Sequence, residues 1–169
     1  MTNTIILHLL RLIGLLLLQV LVLNHIELHG FLSLYIYHFF ILFLPFETPI
    51  WVLLLSAFGS GLCVDVFDNT LGIHAAALVL TAYLRQYVIT LLTPVIGYQS
   101  IDKPQLGIMG MNWFLKYTIL LTFIHHFSVT FLELFSLQFL PYTLLKSALD
   151  TVVSVVLVLI YQYLFIPRE

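Results

Sequence analysis

The chain has 169 residues, 62% of them hydrophobic and 8% charged, with a mean hydropathy of +1.10 and a formal net charge of −2. Soluble domains carry about a quarter charged residues, so eight acids and six bases cannot clothe a water-facing surface of this size. The composition predicts an all-α, polytopic membrane protein, gives no nucleic-acid footprint, and leaves Cys63 without a partner for an intrachain disulfide or a cysteine-built metal site.

In chain order, six spans are expected, over residues 4–23, 28–44, 49–64, 72–93, 110–132 and 141–165, against the roughly 20 apolar residues that a membrane helix needs. A transmembrane barrel is disfavoured, because its strands alternate apolar and polar residues and these runs are continuous. The first run is longer than a signal-peptide core and has no small-residue cleavage pattern, so it reads as the first membrane helix. The second and third are short and flank Pro45-Phe-Glu-Thr-Pro49; they read as two helices, with a partly re-entrant pair as the alternative. Lysine and arginine accumulate on the cytoplasmic side. An inner N-terminus places Arg11, Arg85, Lys103, Lys116 and Arg168 inside and Glu27, Asp65, Asp68 and Glu133 outside, with only Lys146 toward the outer half. A single N-in, C-in membrane domain over residues 1–169 is therefore expected, its longest connection, 94–107, facing the cytoplasm.

Between the third and fourth spans, Gly61-Leu-Cys-Val-Asp65-Val-Phe-Asp68-Asn-Thr-Leu-Gly72-Ile-His74 sets two carboxylates at a tight turn. Ser56 with Ser60, and Ala57 with Gly61, form overlapping small-residue pairs that permit close backbone approach, and Gly72 with Ala75-Ala-Ala opens the next span. These two helices are expected to pack closely across the turn. For Asp65 and Asp68 three readings stand open: capping the following helix, where acids complement the dipole, contact with a partner, and cation binding.

Charges within a span need a partner or a purpose. Arg11 and Lys116 sit near enough to helix ends to snorkel. On the last span Thr143, Ser147, Asp150 and Ser154 recur at helical spacing and make one polar stripe that must face other helices. Counted from the helix ends, Asp150 and Arg85 differ in depth by roughly 6 Å, which predicts an Arg85–Asp150 pair; Lys146, one turn from Asp150, is the alternative partner. His125 and His126 point about 100° apart on a helix, an arrangement ill suited to one metal. Phe58-Gly-Ser-Gly61 approaches a rhomboid-protease motif but lacks its first glycine, and there is no phosphate-cradling loop or His-Glu-x-x-His. No enzyme, metal or cofactor is expected.

Taken together, Gly59-Ser-Gly61, Asp65, Asp68, Asn69-Thr-Leu-Gly72-Ile-His74-Ala75 and Tyr83-Leu-Arg85, preceded by Leu44-Pro-Phe-Glu-Thr-Pro49, resemble the rod shape-determining protein MreD family. Leu17-Leu-Gln19-Val-Leu-Val-Leu-Asn24 is similar to its start. The resemblance implies a non-enzymatic, multi-pass subunit of the bacterial cytoplasmic membrane. Such a subunit acts with MreC and, through it, MreB and the peptidoglycan transpeptidase and glycosyltransferase of lateral wall growth. It makes Gly59, Gly61, Asp65, Asp68, Gly72, His74, Arg85 and Asp150 structural or partner-contact candidates. It also implies a six-helix arrangement similar to the substrate-binding subunits of energy-coupling-factor transporters. From that comes the alternative function, binding or transport of a small, vitamin-type molecule, besides contact with membrane lipid.

Overall fold

The computed structural model describes residues 2–23, 32–95, 97–98 and 103–165; Glu27, Arg168 and the side chain of Arg11 lie outside the described residues. Its helices are α1 (Thr2–Leu21), α2 (Phe39–Leu42), α3 (Ile50–Asp68), α4 (Ile73–Leu91), α5 (Leu106–Met109), α6 (Met111–Leu134) and α7 (Leu140–Phe165), the last preceded by a 3-10 turn, Leu137–Phe139. Three stretches, Ile50–Asp68, Met111–Leu134 and Leu137–Leu164, are long and apolar enough to cross a membrane. At 1.5 Å per residue, even 19-residue α3 reaches about 28 Å, close to the thickness of a hydrocarbon layer.

The long helices turn many large apolar side chains outward and seat polar ones inward, the pattern expected of helices fit to cross a membrane. On α7, Thr143, Ser147, Asp150, Ser154 and Gln162 are buried, whereas Leu145, Leu149, Val152, Val156, Ile160 and Tyr163 are exposed. The stripe expected from spacing thus faces inward. Exposed Trp51, Leu55, Phe58, Leu62 and Val66 trace one face of α3, at the three- and four-residue steps of a helix.

Helix α3 packs on α4, α4 on α6 and α6 on α7, with α1 against α3. The α3–α4 turn is tight because Asn69 (φ 55°) and Gly72 (φ 85°) both adopt left-handed conformations, which only glycine and, next best, asparagine accept at small cost. The close approach expected of the small residues is present. A Cβ on Gly61 would lie 2.4 Å from the Ala75 Cα, so only a hydrogen fits between these backbones.

Within the second expected span, 28–44, residues 28–31 lie outside the described residues, and the remainder is not one continuous helix. Residues 32–38 are non-helical, and only one turn, Phe39–Leu42, follows before Pro45. The segment nevertheless runs through the middle of the bundle. Tyr37, Phe39, Ile41, Leu42 and Leu44 join the core formed by Leu53, Ala57, Leu78, Phe114 and Leu121. One end lies by α7, where Lys146 Nζ donates to Ser33 Oγ. The other lies by the start of α6, where the Phe46 and Trp113 rings are 5.7 Å apart. Irregular backbone inside such a bundle demands partners for its amides and carbonyls, and the buried polar side chains supply them.

Candidate functional site

At the α3–α4 turn, Asp65 reaches across to the first turn of α4. Its Oδ1 accepts the His74 amide at 3.0 Å and its Oδ2 the Ala75 amide at 2.9 Å, and the Thr70 hydroxyl also donates to Oδ1. Gly72, the N-cap residue, has no side chain to do this, so a carboxylate 3% exposed on the preceding helix satisfies the free amides of α4 and faces its positive end. Of the three readings for the acids, capping describes Asp65. Asp68 takes another position, its Oδ2 lying 3.5 Å from His74 Nε2.

His74 begins an interior row. Its Nδ1 lies 2.9 Å from the Tyr37 hydroxyl, which is also 2.8 Å from His125 Nε2. The His38 ring stacks on His125 with centroids 4.7 Å apart, and His38 Nε2 meets Thr122 Oγ1 at 3.2 Å. His126 points elsewhere, to Ser154 Oγ at 2.9 Å, with Tyr35 stacked on it. The 100° divergence of the adjacent histidines therefore gives them different hydrogen-bond partners. No group of three metal-ligating side chains with the geometry to hold an ion occurs among the described residues.

Arg85 is fully buried, about 11 residues or roughly 16 Å further along α4 than His74. The predicted Arg85–Asp150 pair is absent. Arg85 Nε donates to the Tyr117 hydroxyl at 2.8 Å, and Nη2 donates to the carbonyls of Leu44 and Pro45. Tyr117 passes the interaction on by donating to the Leu42 carbonyl at 2.8 Å. These carbonyls lie at and just beyond the end of α2, where Pro45 has no amide with which to continue the helix; the arginine fork reaches the Leu44 carbonyl and shares the Pro45 carbonyl with Thr48, whose amide and hydroxyl donate to it at 3.2 and 2.8 Å. Asp150 is bound by its alternative partner, Lys146, at 2.7 Å, and accepts the Ser33 amide at 3.0 Å. Depth counting brought the two charges level, but it could not show that α4 and α7 turn them toward different parts of the central segment.

Sequence reasoning missed the role of Gln19. Its side-chain amide donates to the Leu34 carbonyl at 2.9 Å and accepts the Ile36 amide at 2.8 Å, as a peptide of a neighbouring strand would. A glutamine in an otherwise apolar run was the available signal. Ser154, which donates to the Tyr35 carbonyl at 3.4 Å, completes the set that holds residues 33–45. The candidate residues thus divide into two groups. Gly61, Asp65, Asp68, Gly72 and His74 gather at the α3–α4 turn, whereas Arg85 and Asp150 clamp opposite parts of the central segment. Gly59 belongs to neither, since its added Cβ would meet nothing within 4 Å.

Fold and site together define an all-helical protein, with helices fit to cross a membrane, whose buried polar groups hold one non-helical segment in the middle of a bundle. In comparisons with known proteins, no family model, curated protein or solved structure matches the chain.

Proposed function

We propose that this chain is a non-enzymatic, multi-pass subunit of the bacterial cytoplasmic membrane, of the MreD type, that holds the membrane anchor of MreC. Through MreC it would tune MreB and the wall-building transpeptidase and glycosyltransferase. The residues from Leu44 to Arg85 that carry the resemblance are one support. The observation that carries the reading is the commitment of Asp65, Arg85 and Asp150 to partners within the chain, beneath an apolar outer face. Such a body offers neighbours a fixed shape and apolar grooves. One groove, of about 370 Å³, lies between α1 and α7 and includes Gly14, Leu18, Leu157 and Ile160; another, of about 480 Å³, lies between α4 and α6.

Six crossings fit this reading, with the segment through the bundle making the second in partly helical form. For orientation, N-in and C-in is supported by exposed Lys103 and Lys116 near the start of α6 and by Asp68 and Glu133 at the opposite end. Arg85 and Lys146 are buried and do not count as loop charges. The transport alternative expects Asp150, Ser154 and Arg85 to line an outward-opening polar cavity, and each of these already has internal partners.

The test is copurification from a bacterial membrane, together with depletion in growing rods. Retention of MreC without a bound small molecule, and rounding of depleted cells, are expected. Unchanged cell width on depletion, or a stoichiometric vitamin in the purified sample, would overturn the proposal.

A further inference from the structure

The α3–α4 and α6–α7 turns share one end of the bundle. Ala76 and Ala77 of α4 line the same groove as Phe131 and Leu132 of α6, so the start of α4 stands beside the end of α6. Around that end Phe67, Leu71, Phe135, Leu137 and Phe139 are exposed, Leu71 completely. Turns that meet water are built mostly from small and polar residues. The aromatic residues that suit a headgroup layer are tryptophan and tyrosine, whose polar tips reach water. These five side chains carry no polar atom, and apolar side chains gathered on a surface mark a place that another molecule covers.

Phe135 is the least expected of them. It closes α6 in the left-handed conformation, φ 41° and ψ 42°, and is 78% exposed. Asn69 closes α3 in the same conformation, which asparagine accepts and a bulky ring resists. Glycine would suit the turn better, so folding alone gives no reason for a phenylalanine whose ring stands mostly outside the bundle.

The polar part of this end is acidic. Glu133 is exposed and joins no ion pair among the described residues. The Asp68 side chain is 20% exposed, and the two carboxylates are near enough to act on each other's charge. Lys146 is already buried against Ser33 and Asp150, and exposed Lys103 and Lys116 belong to the opposite end. Lipid phosphates would repel such a rim, whereas basic side chains would complement it. We propose that the outer rim formed by Leu71, Phe135, Leu137 and Glu133 docks a segment of a partner protein, outside the membrane, whose apolar side chains are flanked by lysine or arginine. This site rests on the orientation and scaffold role proposed above, and it gives the neighbour's outer part its chemistry.

The test places p-benzoylphenylalanine at position 71 or 135 of the full-length chain, irradiates growing cells and identifies the adducts by mass spectrometry. Both positions should cross-link to one segment of one protein, with lysine or arginine beside the point of attachment. With the label at position 71, Glu133→Lys should cut the adduct by at least about tenfold, because it sets like charges together. Changing the partner's nearest base to glutamate should restore it. Phe135→Gly should cut the same adduct while raising the melting temperature in detergent, and it decides the matter even where Glu133→Lys fails to fold. Adducts to lipid alone, to a segment without bases or to different proteins at the two positions would overturn the proposal. So would no adduct at either position, or one that persists with Glu133→Lys or Phe135→Gly. A basic segment of a protein other than MreC would keep this docking and contradict the scaffold reading; MreC copurifying without an adduct at either position would do the reverse.

Discussion

Replacing Gly61 by alanine introduces a methyl group where α3 and α4 leave no room. The new Cβ would lie 2.4 Å from Ala75 Cα, 2.6 Å from Ala75 N and 2.8 Å from the His74 carbonyl. All three are backbone atoms of α4, so no side chain can swing aside. Carbon atoms rest at about 3.5–4.0 Å, and the helices must part by about 1 Å at this level. The same movement stretches the Asp65 bonds to His74 and Ala75, now 3.0 and 2.9 Å, past hydrogen-bonding range. Overpacking costs about 1–3 kcal/mol and loss of a cap about 1 kcal/mol, so about 2–4 kcal/mol should disappear from an unfolding free energy of order 5–15 kcal/mol. Equilibrium unfolding in mixed detergent micelles, followed by circular dichroism, measures it. Gly59→Ala is the control, since it meets open space and should be neutral or stabilising by up to about 1 kcal/mol. Equal behaviour of the two alanine variants would refute the close-packing argument.

Asp65→Ala should destabilise the bundle by about 1–2 kcal/mol, and Asp65→Asn by less, because one acceptor oxygen remains for the α4 amides; equal losses in the same unfolding assay would contradict the capping geometry. The charge exchange Arg85→Asp with Asp150→Arg should fail to restore the folded yield lost in either single variant, because the two residues contact different partners; recovery of monodisperse protein in the double variant would show that they touch. Gln19→Glu should cost nearly as much as Gln19→Leu, about 1–3 kcal/mol, since a carboxylate cannot donate to the Leu34 carbonyl; a glutamate variant of native stability would remove Gln19 from its proposed role. Arg85→Lys should lose about 1.5–3 kcal/mol, because a single ammonium does not reproduce the guanidinium fork; the melting temperature in detergent reads this, and a lysine variant that melts with the native chain would contradict it.

How much of this was legible follows from where each interaction originates. The long helices declare themselves through continuous apolar runs, and the inward face of α7 through Thr143, Ser147, Asp150 and Ser154 at helical spacing. The proximity of α3 and α4 follows from Gly61, Ala75 and the turn residues between them, all local in sequence. Residues 32–38 could not be read in this way. Their hydropathy matches that of a helix, and what permits a non-helical course is the arrival of Gln19, Ser154 and Asp150 from helices distant in sequence. Arg85 was misassigned for a related reason. Its partners are a tyrosine hydroxyl and backbone carbonyls, and a carbonyl acceptor has no letter of its own. Tyr37, His74 and His125 lie on segments whose alignment depends on that same non-helical course, so spacing alone does not place the Tyr37 hydroxyl between the two rings.

Crossing of the membrane with the α3–α4 and α6–α7 turns on the outside is the claim on which the rest depends. Cysteine-accessibility labelling tests it most directly, in a chain with Cys63 replaced by alanine and a single new cysteine at Lys103→Cys or Gln138→Cys. A membrane-impermeant maleimide should label position 138 in intact cells and position 103 only after permeabilisation. Labelling of position 103 in intact cells, with position 138 protected, would contradict the account.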